Sequence, residues 1–373
     1  MITMKGKYNS ANIMIDEIDD STKDQIQGFL NHPAFAGSYI AIMPDTHKGI
    51  GAVIGFTMPV NDYIIPSVVG VDIGCGMLSC NVGKVDINYK NLDNYIKREI
   101  PHGFKNKKVY SDMSIEQERE IRDVCKRISI DEDKALCGMG SLGGGNHFIE
   151  VGVDQYENKW ITIHSGSRNF GLQVAQYYQL KAKEELKKYF IDDQYKGLEF
   201  LLLDSDYGMD YMHALGVAQR FASTSRGEMM CKLMSFVEGR CSEVIESIHN
   251  FIGDDMIIRK GAIAAYENQL VVIPFNMRDG LIIGRGKGSK KYNYSAPHGA
   301  GRVLSRKKAK EIIDVDNFVK EMQDAGIYTT TAGSKTLDEA PQAYKDIDII
   351  KENIKETVDV LYTVKPVYNF KAV

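Results

Sequence analysis

Residues 69–77 read VGVDIGCGM and continue a strand-like apolar run, YIIPSVV (63–69). Three glycines surround one carboxylate, Asp72, and one thiol, Cys75. Gly74 and Gly76 let the turn aim both side chains to one side, and both groups become metal ligands when they lose a proton. The stretch therefore predicts either a metal site or a buried structural cysteine beside a turn-forming aspartate. The motif alone favours neither interpretation.

The segments around this turn predict an α+β fold. Helices are predicted at 114–127, 172–190 and about 211–251, the last with a break near Gly227. Strands are predicted at 38–44, 51–60, 77–83, 146–153, 159–165, 270–275 and 280–286. Because strands and helices do not alternate regularly, a Rossmann or barrel array is disfavoured. We expect one large domain, residues 1–373, with mixed β-sheets at the core flanked by helices.

The composition is that of a globular protein. Of 373 residues, 43% are hydrophobic and 26% charged, and no apolar run approaches the ~20 residues of a membrane helix. The N-terminus shows no secretory signal, so we expect a cytoplasmic protein without a membrane partner, whose six cysteines are thiols. With a net charge of −4, a polyanion would have to be bound by a local basic groove.

Several histidines lie in glycine-dense or strand-end motifs. His147 lies in GSLGGGNHF and His164 in ITIHSGSRNFG, while His249 ends the predicted long helix in ESIHNF. Four glycines within 140–145 cost backbone entropy, which predicts an unusual turn or close approach to a ligand. Together with Asp72 and Cys75, neutral imidazoles would form a mixed O/N/S ligand set. A bridging thiolate makes a two-metal site plausible.

The motif SAPHGAGR (295–302) suggests phosphate chemistry. Small residues after His298 let backbone N–H groups converge on an anion, and the Arg302 guanidinium can bind phosphate oxygens. A histidine in such a setting is a candidate nucleophile toward phosphorus. The alternative is a glycine turn whose histidine forms only a local hydrogen bond. The motif leaves both open.

Taken together, these motifs resemble the RtcB family of RNA-splicing ligases. The shared segments occur in the family's order from about Ala41 to Lys371: MPDTHKGIG, IIPSVVGVDIGCGM, GSLGGGNHFIEV, HSGSRNFG, SIHNF, SAPHGAGRVLSR, AYKDID and FKAV. The chain looks like a short member of the family, without room for large insertions.

The resemblance implies GTP- and Mn²⁺-dependent joining of RNA 3′-phosphate or 2′,3′-cyclic phosphate ends to 5′-hydroxyl ends. His298 would attack the α-phosphate of GTP and become guanylylated, and the GMP would then pass to the RNA 3′-phosphate. Asp45 would orient His298 by accepting from its other ring nitrogen. Two manganese ions, with Cys75 as the bridge, would be held by Asp72, Cys75, His147, His164 and His249.

The resemblance also implies substrate contacts. The nucleotide would be contacted by Asn146, Glu150, Asn250, Pro274, Asn276, Met277, Gly299, Ala300, Gly301 and Lys371. RNA phosphates would be contacted by Arg168, Arg302 and Arg306. RNA ends and GTP are thus the expected partners, and an accessory activator protein is a further candidate. In RGKGSKKYNYSAPH (285–298), Tyr292 and Tyr294 would stack on bases, although a solvated lysine-rich loop is an equal alternative.

One difference from the family's sequence pattern is the reason to consider alternative functions. Where family members carry a PGSMG-like turn, this chain reads PFNMRDG (274–280), with Phe275 and Arg278 in place of small residues. The alternative is a manganese-dependent nucleotidyltransferase or phosphoesterase that uses another nucleotide or processes RNA ends without sealing them. A third hypothesis is a non-catalytic binder of RNA ends, against which Asp45 and His298 argue.

Overall fold

The computed structural model describes residues 1–110, 113–188 and 195–372. The strands within these ranges are β1 Ile2–Lys5, β2 Ser10–Ile13, β3 Ile40–Ile42, β4 Phe56–Pro59, β5 Tyr63–Ile64, β6 Gly76–Gly83, β7 Phe148–Val153, β8 Lys159–Ser165, β9 Leu201–Leu202, β10 Glu243–Ile248, β11 Asn250–Ile252, β12 Ile257–Lys260, β13 Ala262–Ala264, β14 Leu270–Pro274, β15 Leu281–Gly286, β16 Ser295–Pro297 and β17 Val358–Lys371. The helices are α1 Asp20–Leu30, α2 Pro66–Val69, α3 Tyr89–Glu99, α4 Ile115–Arg127, α5 Glu132–Leu136, α6 Arg168–Lys188, α7 Asp206–Val237, α8 Arg306–Ile312, α9 Val315–Asp324 and α10 Ile347–Asn353.

Two large sheets organise the chain. The first has seven strands in the order β10-β6-β8-β7-β17-β15-β14, and every neighbouring pair is antiparallel. The second has six strands in the order β1-β2-β3-β4-β12-β11, in which β2 and β3 run parallel and the other pairs antiparallel. Helices pack against these sheets, so the predicted α+β fold with mixed sheets and flanking helices is confirmed. The single domain over 1–373 stays a prediction.

Helix α7 connects two parts of the hydrophobic core. Phe221 packs with Phe170 of α6 in a cluster that also includes residues of α1, α2, α4 and the six-stranded sheet. Further along the same helix, Met229 and Leu233 pack in a second cluster with residues of β6, β7 and β8. A helix that is buried on several faces is typically apolar around much of its circumference. The helix thereby fixes the seven-stranded sheet against the rest of the molecule.

The predicted helix over 211–251 is wrong in its last third. Helix α7 ends at Val237, where Glu238 adopts a left-handed conformation (φ 51°, ψ 26°), and 243–248 and 250–252 form strands. The sequence EVIESI has a two-residue alternation in which Ile245 is buried between exposed Val244 and half-buried Glu246, as in a strand. The predicted break near Gly227 is also absent, because α7 runs through it. His249 therefore lies between two strands.

The other predicted elements occur, with shifted ends. Strand β8 matches its predicted bounds, whereas 51–60 contains a strand only at β4, after a turn. The predicted helix over 172–190 begins earlier, at Arg168, and is described as far as Lys188; residues 189 and 190 lie outside the described residues. Among the described helices, none combines the length and hydrophobicity needed to cross a membrane.

The expectation that all six cysteines are thiols is wrong for two of them. Cys80 of β6 and Cys241 form a disulfide, with Cα atoms 5.8 Å apart. The pairing of β10 with β6 brings them together, because Cys80 lies opposite Val244 in the antiparallel register. Cys75, Cys125, Cys137 and Cys231 are free thiols.

Candidate metal centre and nucleotide cavity

The antiparallel register of four neighbouring strands brings the predicted ligands to one edge of the seven-stranded sheet. Cys75 immediately precedes β6 and His249 immediately follows β10, and Gly76 of β6 lies opposite Ile248 of β10. His164 lies near the end of β8, opposite Phe148 of β7. Since His147 directly precedes β7, the starts of two strands and the ends of the other two meet at this edge.

Backbone contacts and two glycines hold the ligand-bearing loops close together. The His249 amide donates to the Cys75 carbonyl oxygen at 2.8 Å. A Cβ atom on Gly166 would lie 2.0 Å from the Asp72 carboxylate, and one on Gly143 would lie 2.6 Å from His147 Nδ1. Gly143 also has a φ of +90°, which favours glycine. The glycines of GSLGGGNH and HSGSR thus permit the close approach of acidic and imidazole side chains.

The five predicted ligands form a continuous cluster. Cys75 Sγ lies 3.3 Å from His164 Nε2 and 3.5 Å from His147 Nε2. The Asp72 Oδ2 atom is 3.0 Å from His147 Nε2, and His164 Nε2 is 3.3 Å from His249 Nε2. Cys75, His147 and His164 are buried and satisfy the spacing expected of a metal site on their own.

The chemistry of these side chains fits a cation. His147 Nδ1 donates to the Leu142 carbonyl oxygen at 2.9 Å, so in the neutral ring Nε2 carries a lone pair and faces the Asp72 carboxylate. The Nδ1 atoms of His164 and His249 are buried without a hydrogen-bond partner in the described chain. Lone pairs of oxygen, sulfur and nitrogen at these distances repel one another unless a positive charge lies between them.

The buried environment keeps two of the histidines in the neutral form that binds a metal, but it disfavours the thiolate form of Cys75. Burial lowers the pKa of His164 and of His249 well below the usual range, so both rings are neutral and can ligate. Burial and the Asp72 charge raise the pKa of the Cys75 thiol. Burial opposes ionisation of Asp72, but its contact with His147 and the nearby charge of Arg168 hold the pKa of its carboxyl below the usual value. Cys75 therefore needs a nearby cation to become a thiolate.

His298 lies beside this cluster, held by Asp45. Its Nδ1 lies 2.6 Å from Asp45 Oδ2, and its backbone N–H donates to the same oxygen at 3.2 Å. Because Asp45 is fully buried and accepts from Nδ1–H, the lone pair of the ring is placed on Nε2. The His298 and His249 ring centroids are 4.7 Å apart. His298 thus has more than a local turn contact: it is an oriented imidazole next to the candidate metal centre.

A cavity of about 230 Å³ opens at His298 and collects most of the predicted nucleotide contacts. Its lining includes Asn146, Glu150, Pro274, Asn276, Met277, Gly299, Ala300, Gly301 and Lys371, with Arg302 and Arg306. Asn250 does not line it. Its side chain donates to the Asp72 carbonyl oxygen at 3.2 Å and accepts from the Gly261 N–H at 3.0 Å, so it supports the ligand turn.

Sequence reasoning missed the acid that organises the charged wall of this cavity. The buried Glu339 carboxylate accepts from Lys371 Nζ at 2.8 Å and pairs with Arg306 at 2.9 Å and Arg302 at 3.3 Å. Although burial opposes ionisation, these cations lower the pKa of Glu339 to about 2. Arg302 also bonds to carbonyl oxygens of Leu304 and Asp338. No spacing or periodicity in SKTLDEAP marks Glu339.

Two further groups line the cavity. Burial raises the pKa of Glu150 to about 7, even though Asn369 donates to its carboxylate at 2.8 Å. His47, which adjoins the Asp45 turn in PDTHKGIG and received no predicted role, also lines the cavity. Burial lowers the pKa of His47 to about 4, so its ring is neutral at pH 7.

The departures from the family pattern divide into those that face the cavity and those that do not. Phe275 lines the cavity, whereas Arg278 pairs with Asp279 and Glu321 at the protein surface. In the loop 285–298, the predicted base stacking by Tyr292 is wrong, because that ring is fully buried. Tyr294 lies against Tyr266, with ring centroids 5.9 Å apart.

A second and larger cavity, of about 810 Å³, reaches the cluster through Asp72 and His147. Arg168 lines it, as do Lys134, Lys310, Lys335 and the ring of Phe104, which is fully exposed. Arg168 is held by a 2.7 Å hydrogen bond to the Gly103 carbonyl oxygen, next to Phe104. Sequence reasoning identified Arg168 but not the others, which lie outside its motifs.

Comparison with known proteins identifies the family. A family model described as tRNA-splicing ligase RtcB matches residues 25–372. RNA-splicing ligase RtcB1 of Escherichia coli strain ATCC 25922 is 30% identical, and RNA-splicing ligase RtcB of strain K12 is 31% identical, each over 89% of this chain and 90% of the relative. The tRNA-splicing ligase RtcB of Nanoarchaeum equitans is 28% identical over 83% of each chain. With these matches, and with the family's motifs assembled around one cluster, the chain belongs to the RtcB family.

Proposed function

We propose that this protein is a GTP- and Mn²⁺-dependent RNA ligase that joins RNA 3′-phosphate or 2′,3′-cyclic phosphate ends to 5′-hydroxyl ends. The observation that carries the proposal is the Asp45–His298 pair beside the Asp72, Cys75, His147, His164 and His249 cluster. The names of its relatives, RNA-splicing and tRNA-splicing ligases, support an activity on RNA. Cytoplasmic location and an accessory activator stay predictions from the sequence.

His298 is the nucleophile of this mechanism. Its Nε2 lone pair attacks the α-phosphorus of GTP, a P–N bond forms, and the P–O bond to pyrophosphate breaks with the electron pair leaving on pyrophosphate. Asp45 accepts the hydrogen bond from Nδ1–H, so the proton stays on the ring, and the carboxylate stabilises the positive charge that develops there. An oxygen of the RNA 3′-phosphate then displaces His298 from phosphorus. Finally the 5′-hydroxyl oxygen attacks the activated RNA phosphorus, the P–O bond to GMP breaks with its electron pair leaving on GMP, and the hydroxyl proton passes to solvent. A 2′,3′-cyclic phosphate end would first be opened by water to a 3′-phosphate and then enter the same sequence.

The five clustered side chains are the proposed holders of two manganese ions. Such ions would neutralise negative charge on the transferring phosphoryl group. A set of one carboxylate, three imidazoles and one thiolate suits manganese, and zinc would bind it too, so the metal content has to be measured. Cys75 is the proposed bridge because its sulfur contacts two of the imidazoles.

The charged wall of the smaller cavity would receive the nucleotide. Lys371, Arg302 and Arg306 are proposed to face its phosphates, although Glu339 already neutralises part of their charge. Glu150, ionised above a pKa of about 7, would accept from N–H groups of the base. Phe275 limits the space beside Pro274 and Asn276, which makes the identity of the base a question for experiment.

The larger cavity is the proposed path of the RNA strand. It reaches Asp72 and His147 and carries the cations Arg168, Lys134 and Lys335. Neither Lys134 nor Lys335 forms an ion pair with another described residue, so both are free to face phosphates. The exposed Phe104 ring at this cavity offers a surface on which a base can stack.

One labelling experiment tests the function. The protein is incubated with Mn²⁺ and α-labelled GTP or ATP, denatured, and examined for acid-labile covalent label, and a parallel sample receives RNA with 3′-phosphate and 5′-hydroxyl ends. Label from GTP together with sealed RNA is expected. Label from ATP alone, or end processing without sealing, would favour the nucleotidyltransferase or phosphoesterase. RNA binding without any label would favour the non-catalytic binder.

Phe104→Ala is expected to weaken RNA binding by about 5- to 150-fold, because stacking of one base on an aromatic ring is worth roughly 1–3 kcal/mol. Covalent labelling from GTP should be unchanged. The measurement is fluorescence anisotropy of a labelled single-stranded RNA, with Phe104→Trp restoring affinity. Tyr156→Ala, which removes an exposed ring that lines neither cavity, is the matched control. Equal RNA affinities of Phe104→Ala and the unaltered protein would contradict this path.

A further inference from the structure

A buried arginine that the proposed reaction does not use lies directly behind the metal-ligand cluster. Arg226 occupies the middle of α7 and is fully buried. Burying a guanidinium group is costly unless its N–H groups are paired and hydrogen-bonded. The partners of Arg226 therefore indicate what it holds in place.

The Arg226 guanidinium contacts both strands that flank the thiol and the central imidazole. Its Nη1 donates to the Gly74 carbonyl oxygen at 2.8 Å and to the Ser165 carbonyl oxygen at 2.6 Å. Gly74 is the residue before Cys75, and Ser165 is the residue after His164. One nitrogen atom thus connects the backbones that carry two proposed ligands 3.3 Å apart.

The other side of the guanidinium connects to the strand of a third ligand. Nε and Nη2 donate to Glu246 Oε1 at 3.0 and 2.8 Å, and Ser223 Oγ donates to both oxygens of the same carboxylate. Glu246 lies on β10, three residues before His249. Arg226 therefore contacts β10, the turn before β6 and the end of β8, which adjoin or carry His249, Cys75 and His164 respectively.

We propose that Arg226 is a positioning residue of the metal centre: paired with Glu246, it sets the separation at which Cys75 and His164 share a cation. The inference rests on the proposed function in that the cluster is taken to bind metal. Arg226 is not a ligand, since its guanidinium bonds to carbonyl oxygens and a carboxylate and not to the clustered side chains. Its contribution is the geometry of the site.

The test uses Co²⁺ alone, without nucleotide or RNA. Arg226→Met and Arg226→Lys are titrated with Co²⁺ and compared for affinity and for the thiolate-to-cobalt charge-transfer band. Loss of an outer partner of metal ligands typically costs about 10- to 100-fold in affinity, and we expect a loss of that size with a shifted band. A lysine cannot reproduce the planar fork that spans two carbonyls and a carboxylate, so the same direction is expected for it.

Arg259→Met is the matched control. Arg259 is also fully buried and pairs with an acid, Asp255, at 2.7 Å, but it contacts neither Gly74 nor Ser165. This variant is expected to lose folding stability while its Co²⁺ affinity and band stay those of the unaltered protein. If Arg226→Met does not fold, Arg226→Lys carries the test.

Two results would overturn the inference: a folded Arg226 variant with unaltered affinity and band, or an equal loss of affinity in Arg259→Met. A third result, in which the cluster binds no metal at all, is distinguishable from these two. In that case the unaltered protein would show no charge-transfer band with Co²⁺, and Arg226 would have no site to position.

Discussion

Replacing His298 by alanine is expected to abolish covalent labelling by α-labelled GTP and to reduce RNA sealing by at least about 10⁴-fold, because the three other imidazoles beside it face the proposed metal centre. His147, His164 and His249 direct their Nε2 atoms into the ligand cluster. His298 alone among the proposed site histidines has Nδ1 committed to a buried carboxylate and Nε2 available. Labelling is measured after denaturation, and sealing by gel electrophoresis of the RNA.

Asp45→Asn tests whether the carboxylate orients the nucleophile. An amide can donate to Nδ1 and stabilise the wrong tautomer, so labelling should slow by about 10²- to 10⁴-fold while metal content is unchanged. His213→Ala is the control, because His213 is an exposed helical histidine away from both cavities. Persistent covalent label in His298→Ala would contradict the proposal that His298 is the nucleophile. Normal labelling in Asp45→Asn would remove the orienting role.

Cys75→Ala is expected to weaken metal binding by more than about 100-fold, since even partners outside the ligand shell contribute 10- to 100-fold. Cys75 Sγ lies within 3.5 Å of the Nε2 atoms of both His147 and His164, so its loss removes a proposed ligand from the middle of the cluster. Metal content after dialysis against Mn²⁺ gives the measurement, by elemental analysis per chain. Covalent labelling by GTP should fall with it.

The control for this variant is Cys125→Ala. It also removes a buried free thiol, but Cys125 lies on α4 and packs in the hydrophobic core. Both variants remove one buried sulfur atom, so a loss of metal that follows from general destabilisation would appear in both. Unchanged manganese content in Cys75→Ala, or an equal loss in Cys125→Ala, would contradict the bridging thiolate.

The sequence predicted the parts of the site that depend on local chemistry. Glycine-dense turns next to Asp72, His147 and His164 mark places where the backbone must bend closely around polar side chains. The strand ends around 77–83, 146–153 and 159–165 were predicted within two residues. Their convergence was not deducible from spacing, because it depends on the strand order β10-β6-β8-β7, and one of those strands was mistaken for helix.

What the sequence did not predict depends on long-range packing. The end of α7 is the exception: Gly239 follows the left-handed Glu238 and is a local stop signal, whereas the prediction placed the break at Gly227. Glu339 is an ionised partner of cations only because Lys371 of β17 and Arg306 of α8 lie at the same cavity wall. The Asn250 side chain has the chemistry of a nucleotide contact, but the β11–β12 pairing turns it toward the Asp72 turn.

The two cavities reach the cluster through different side chains, His164 and His298 in one case and Asp72 and His147 in the other. A small molecule and a polymer that occupy them do not have to exchange places during a catalytic cycle. In the proposed reaction, the RNA strand would stay bound in the larger cavity while pyrophosphate leaves the smaller one and another GTP enters it. A second round of nucleotide transfer to the same RNA end would then not require that end to dissociate and bind again.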